Sequence, residues 1–240
     1  MTAGTSTLFK PNLYVLSWGL YPRRITIYLK EKNIFDQINI IDVPVTSSGV
    51  GDVPGKPKGT VPILEHAPGR YIRQSCAILE YLEEIFPQAP IMRGSTPEAR
   101  ARTHELLDLS NEACSLLSFH VHNGSAAFAG LETQSPEAAG QAMERVHVLL
   151  AQIEDLADPD GPYLANKEDH PGLADVVLLA TVQFAREIYG IDLSKDHKRI
   201  ARMVGAFEKR ESAKWDEAPI EFVKVARNFI AKYIGANMVH

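Results

Sequence analysis

Apolar and polar positions change rhythm along this chain, and the change divides it. NLYVLS (12–17) is a short extended run, and RRITIYLKEKN after Pro22 carries Ile25, Tyr28 and Leu29 at helical spacing. QINIIDVPV (37–45) is a second β-branched strand, and TSSGVGDVPGKPKG (46–59) is rich in turn residues and predicts no long element. TVPILEH and RYIR, separated by Ala67-Pro68-Gly69, read as a hairpin. SCAILEYLEEIF then sets Ile78, Tyr81, Leu82 and Ile85 on one helical face. The order β-α-β, loop, β-β-α calls for a sheet covered by helices.

From Pro97 onward only helical periods appear. PEARARTHELLDLSNEACSLLSFHV is long and amphipathic, and PEAAGQAMERVHVLLAQIEDLA aligns Met143, Val146, Leu150 and Ile153. LADVVLLATVQFAREIYG is apolar nearly all round, which predicts a buried central helix. DHKRIARMVGAFEKR and IEFVKVARNFIAKYI read as two more helices, the last stopped by Gly235. The expected organisation is α/β plus all-α. An α/β domain spans 1–88 with a flexible leader at 1–11, a Pro-rich linker spans 89–96, and an all-helical domain spans 97–240.

Composition narrows the function classes. A net charge of −5 gives no general attraction to nucleic-acid phosphates or anionic lipid. No apolar run approaches the roughly 20 residues of a membrane span. The polar start MTAGTSTLFKPN does not read as a secretory signal. Two cysteines, Cys76 and Cys114, are too few for a disulfide framework and are read as packed thiols in a reducing, cytoplasmic setting. His120-x-His122 does not make a metal site, because residues two apart on a helix do not share a face. No further ligand is spaced to complete one.

The candidate chemistry lies in GTVPILEHAPGRYIRQSCAILEYL (59–82). Proline is unusual in a strand, since its ring removes a ladder donor. Ser75 opens a helix whose N–H groups and dipole favour a carboxylate. KPKGTVPILE, IRQSCAILEYL and GLADVVLLATVQFA resemble segments of the soluble glutathione transferases, and the resemblance covers nearly the whole chain. It implies a thioredoxin-like N-terminal domain and a cis peptide at Val61–Pro62. It further implies that Val61 pairs with the cysteinyl backbone of glutathione, and that Gln74 and Ser75 hold its γ-glutamyl end. Gln74 replaces the family's usual carboxylate, Lys56 stands where the family has Asn and either approaches the glycyl carboxylate or is a solvated loop charge, and Gly172 replaces the Ser or Thr that would cap reciprocally with buried Asp175.

Thiol activation needs a hydroxyl aimed at the sulfur, because a thiol of pKa about 8.5 is mostly protonated at neutral pH. Tyr14, Ser17 and Tyr21 are the candidates. The SWGL segment resembles serine-using, phi/theta-like members, which puts Ser17 on the catalytic position, with Tyr21 the alternative and helix capping the structural explanation. Trp18, Tyr21, Phe119, His120 and His122 are the expected lining for the second substrate, between the domains. The resemblance implies a homodimeric transferase conjugating glutathione, as co-substrate, to an apolar electrophile. Glu105 or Asp108 would reach the partner's ligand. The alternatives are a glutathione-dependent isomerase, lyase or etherase of specialised metabolism, and a non-catalytic binding protein on the same scaffold.

Overall fold

The computed structural model describes residues 9–46, 49–88, 90–165 and 170–229. The chain divides into two compact units, residues 1–86 and 87–240.

The first unit is thioredoxin-like. Strands β1 (Asn12–Val15), β2 (Asn39–Asp42), β5 (Ile63–Ala67) and β6 (Arg70–Arg73) form one sheet in the order β2-β1-β5-β6. The β1–β2 pair is parallel and the β1–β5 and β5–β6 pairs are antiparallel. A parallel pair requires a crossover, which helix α1 (Leu20–Glu31) supplies. A small hairpin of β3 (Val45–Thr46) and β4 (Gly49–Val50) stands apart from that sheet. Helix α2 (Ser75–Ile85) follows β6 after a single residue.

The buried face of α2 differs from the sequence expectation. Ile78, Leu79, Leu82 and Glu83 are buried, whereas Ile85 is exposed. Glu83 turns inward because α1 supplies its partners. Lys32 Nζ and the Tyr28 hydroxyl both donate to Glu83 Oε1 at 2.8 Å. With that carboxylate satisfied, Ile78 and Leu82 keep their places on the buried face, Leu79 and Glu83 join them, and Tyr81 is left half-buried.

The second unit contains α3 (Pro97–Gly124), α4 (Pro136–Leu156), α5 (Leu173–Tyr189), α6 (Lys198–Phe207) and α7 (Ile220–Ala226). Thr96 caps α3 by accepting from the Ala99 N–H, and Ser135 caps α4 by accepting from Ala138. Both helices carry proline in the first turn, where no backbone donor is needed. Helix α5 is buried on nearly every side, which accounts for its unbroken run of Leu, Val and Ala. The last helix is shorter than its pattern predicts. It stops at Ala226 because the chain turns to meet α3: Ser125 Oγ donates to the Ala226 carbonyl at 2.7 Å, and the Ala126 N–H donates to Asn228. Residues 230–235, the rest of the expected helix and its Gly235 stop, lie outside the described residues, as does most of the expected leader.

Candidate functional site in the thioredoxin-like unit

Strand register brings three chain segments to one end of the sheet. Tyr14 pairs with Ile63, and Ile63 pairs with Arg73. The residues that follow β1, precede β5 and follow β6 therefore leave the sheet at the same edge. Those residues are Ser17, Val61–Pro62 and Gln74–Ser75.

Ser17 lies in the turn that ends β1, closed by the Gly19 N–H donating to the Leu16 carbonyl at 2.8 Å. It is half-buried, as is Trp18. Tyr21, in the first turn of α1, is 39% exposed. Tyr14 is a core residue packed with Val43, Val61 and Ile63. Burial, with added repulsion from Glu65, holds its phenol above the ordinary tyrosine range, which makes it a poorer proton donor.

The Val61–Pro62 peptide is cis. The Val61 side chain enters the Tyr14 cluster, while its backbone sits just outside the β5 ladder, at the rim. Preceding it, the loop 51–60 is tied down by the Tyr71 hydroxyl, which donates to the Gly55 carbonyl at 3.1 Å. Lys56 lies in this loop. Its side chain is 1% exposed, and its ammonium donates to the Pro57 carbonyl at 3.4 Å and reaches Asp52 at 3.5 Å.

Gln74 has φ 71° and ψ 120°, a region that non-glycine residues seldom occupy and that concentrates at functional sites. It precedes α2 but gives it no side-chain cap, and the first turn of α2 contains no acidic residue. A helix start presents N–H groups and the positive end of the helix dipole, which favour an anionic acceptor. Ser75, the first helical residue, is buried, and its hydroxyl accepts from Arg24 Nη1 at 3.3 Å. Next to it, Cys76 is half-buried rather than packed away, whereas Cys114 in α3 is buried.

The remaining candidates belong to the second unit and face different ways along α3. Phe119 is exposed. His120 is buried, stacks on Phe229 with ring centroids 5.4 Å apart, and engages the Ala139 carbonyl through Nδ1 at 2.8 Å. Because a carbonyl only accepts, that nitrogen carries the hydrogen. Burial holds the His120 imidazole below the ordinary histidine range. His122 bonds Glu132 at 2.8 Å and stacks on Phe128. Asp175 is fully buried and caps α5 from within. Its two oxygens accept from the Leu164 and Gly172 N–H groups at 2.7 and 2.8 Å. Gly172 has no side chain to return the bond, so one half of a capping box is made. Among the described residues no group of three or more His, Cys, Asp or Glu is arranged to hold a metal ion. No described helix is long and apolar enough to cross a membrane.

Sequence reasoning missed Arg24, Lys32 and Glu83, charged residues buried in the first unit. It also missed the backbone conformation of Gln74. Periodicity assigns charges to the solvent face, so only the pairing of α1 with α2 reveals them.

Comparison with known proteins gives a consistent family. Residues 18–85 match the glutathione S-transferase N-terminal domain. A maleylacetoacetate isomerase of Pseudomonas aeruginosa is 34% identical over 140 residues, which are 57% of this chain and 61% of that protein. The chain thus matches somewhat less than two thirds of its curated relative's length. Similar solved structures include a glutathione S-transferase domain-containing protein of Marinobacter aquaeolei (TM-score 0.69, 23% identity, 85% of this chain and 100% of that one). A glutathione S-transferase of Methylobacterium radiotolerans, in complex with glutathione sulfonate, has TM-score 0.68 and 19% identity over 96% of this chain and 100% of its own. A family member from Pseudomonas fluorescens, with bound S-(propanoic acid)-glutathione, has TM-score 0.68 and 17% identity over 85% and 96%.

Proposed function

We propose that this chain, which belongs to the glutathione S-transferase superfamily, binds glutathione at the shared sheet edge of its first unit and stabilises the thiolate for attack on an electrophile. The observation that carries the reading is the convergence there of Ser17, the cis Val61–Pro62 peptide and the uncapped start of α2 at Gln74–Ser75. A tripeptide with a carboxylate at one end and amide groups along its length fits those features. Val61 offers backbone groups to the cysteinyl residue, and Gln74 with Ser75 and the α2 N–H donors takes the γ-glutamyl end. Lys56 lies on the glycyl side. Ser17 donates to the sulfur, with Tyr21 the alternative donor. Trp18 and Tyr21 are the first unit's proposed contacts for an apolar second substrate, whereas His120, buried and bonded to the Ala139 carbonyl within the helical unit, is withdrawn as one. The same reading carries a homodimer in the cytoplasm.

Catalysis would rest on positioning and on a lowered thiol pKa. Ultraviolet absorbance of enzyme-bound thiolate, titrated against pH, tests this. The wild type is expected to hold the thiol below its free pKa of about 8.5, and Ser17→Ala to return it toward that value. An unchanged bound pKa in Ser17→Ala, with loss in Tyr21→Phe, would move the role to Tyr21.

A second reading is favoured by the match to a maleylacetoacetate isomerase: glutathione adds to a substrate double bond and leaves again, so that the outcome is isomerisation. Turnover of maleylacetoacetate without net consumption of glutathione, set against conjugation of a general aryl halide, separates the two.

A further inference from the structure

Arg24 sits on the second turn of α1 with 1% of its surface exposed. Its Nη1 donates to Ser75 Oγ at 3.3 Å, and its guanidinium carbon lies 4.9 Å from the centroid of the Tyr21 ring. A guanidinium has donors and no acceptor, so in this pair Ser75 only accepts. The hydroxyl hydrogen of Ser75 is thereby left to be donated elsewhere. The start of α2 has neither a side-chain cap nor an acidic residue in its first turn. The helix dipole and a buried cation act in one direction there, favouring an anion.

We propose that Arg24 is a positioning residue that fixes the Ser75 hydroxyl as a hydrogen-bond donor and makes the start of α2 selective for the α-carboxylate of a γ-glutamyl peptide, with the Tyr21 ring holding the guanidinium in place. The inference rests on the glutathione reading above. It goes beyond it by giving the charge selectivity of the site to a residue that touches no ligand. It also gives Tyr21 a part in binding through its ring face, independent of its hydroxyl. A guanidinium over an aromatic face is attracted by the ring quadrupole, and lysine lacks the planar fork that serves ring and hydroxyl together.

The test is calorimetric titration of the full chain with two ligands, glutathione and its analogue with the γ-glutamyl α-carboxylate replaced by a carboxamide. Arg24→Met is expected to weaken glutathione on the order of tenfold, in keeping with one charge-assisted interaction, and to leave the carboxamide within about twofold. In a Ser75→Ala background the same change is expected to add nothing, since residues acting through one another are non-additive. Equal weakening of both ligands, or additive effects of the two substitutions, would overturn the proposal. Should Arg24→Met fail to fold, Tyr21→Leu at its exposed position gives a second route. A roughly threefold loss confined to glutathione supports the proposal, and no loss or an equal loss on both ligands overturns it. A wild type that binds neither ligand would remove the glutathione reading and this inference together, whereas tight wild-type binding indifferent to Arg24 removes the inference alone.

Discussion

Lys32 and Glu83 form an ion pair of 2.8 Å in which the two side chains are 0% and 1% exposed. The pair joins the end of α1 to the last turns of α2, and the Tyr28 hydroxyl completes it. Two charges taken out of water are held by each other, so removing one strands the other. Lys32→Met is expected to destabilise the first unit by about 3–5 kcal/mol, and Lys32→Met with Glu83→Leu by distinctly less. Urea denaturation of the two variants checks this. A double variant less stable than the single one would contradict it.

Gln74 has a positive φ of 71° at a position proposed to bind glutathione, so strain and affinity there can be separated by substitution. A positive-φ side-chain residue of this kind costs about 1–3 kcal/mol, and glycine relieves that cost while deleting the side chain. Gln74→Gly is therefore expected to raise the urea midpoint, by about 1 kcal/mol in stability, and to weaken glutathione several-fold. Gln74→Glu is expected to tighten glutathione a few-fold at low salt, because a carboxylate attracts the γ-glutamyl ammonium. Both are read by paired denaturation and titration. Changes of the same sign in stability and affinity for Gln74→Gly would separate the strain from the site.

The sequence made the elements and their order legible because hydrophobic period and turn residues are local signals. Pro97 and Pro136 mark the starts of α3 and α4, and the apolar run from Leu173 marks the buried helix. Ser17, Val61, Pro62, Gln74 and Ser75 were legible as candidate positions through family resemblance. Their meeting at one sheet edge is a property of register between strands some 50 residues apart, which no local pattern encodes. The stripe on α2 was misread for the same reason. Glu83 is buried only because Lys32 and Tyr28, 51 and 55 residues away, face it. His120 illustrates the reverse problem. A histidine on a helix facing a supposed cleft and one bonded to Ala139 inside the helical unit have the same sequence signature.

Gly55 is required by both conformation and space. Its φ is +83°, and a Cβ there would lie 2.8 Å from the Tyr14 hydroxyl, on a ring fixed in the core. Gly55→Ala is expected to cost about 1–2 kcal/mol and to displace the loop that carries Lys56. Affinity for glutathione should fall with stability. Loss of stability at unchanged affinity would show that this loop does not hold the ligand.

Two buried groups in the second unit titrate against each other in effect. Burial pushes the Asp175 carboxyl up to about 6, against the opposing pull of the Leu164 and Gly172 N–H bonds and of His170. A carboxyl whose folded pKa lies above its unfolded value binds a proton on folding. Its contribution is fully present below the unfolded value of 3.8 and is lost as pH rises through about 6. His120 behaves oppositely: burial lowers its folded pKa below 6.5, so protonation in the unfolded chain withdraws stability as pH falls through that value. Between pH 7 and 5 the wild type is expected to gain roughly 1 kcal/mol on Asp175→Asn, and to lose stability relative to His120→Gln. At pH 7 both substitutions destabilise, since each disturbs a buried hydrogen bond, by about 1–3 kcal/mol. Chemical denaturation of the three proteins at both pH values reads the signs directly. Parallel pH profiles for wild type and Asp175→Asn would mean that this carboxyl stays ionised throughout, held by its two backbone donors in spite of its burial.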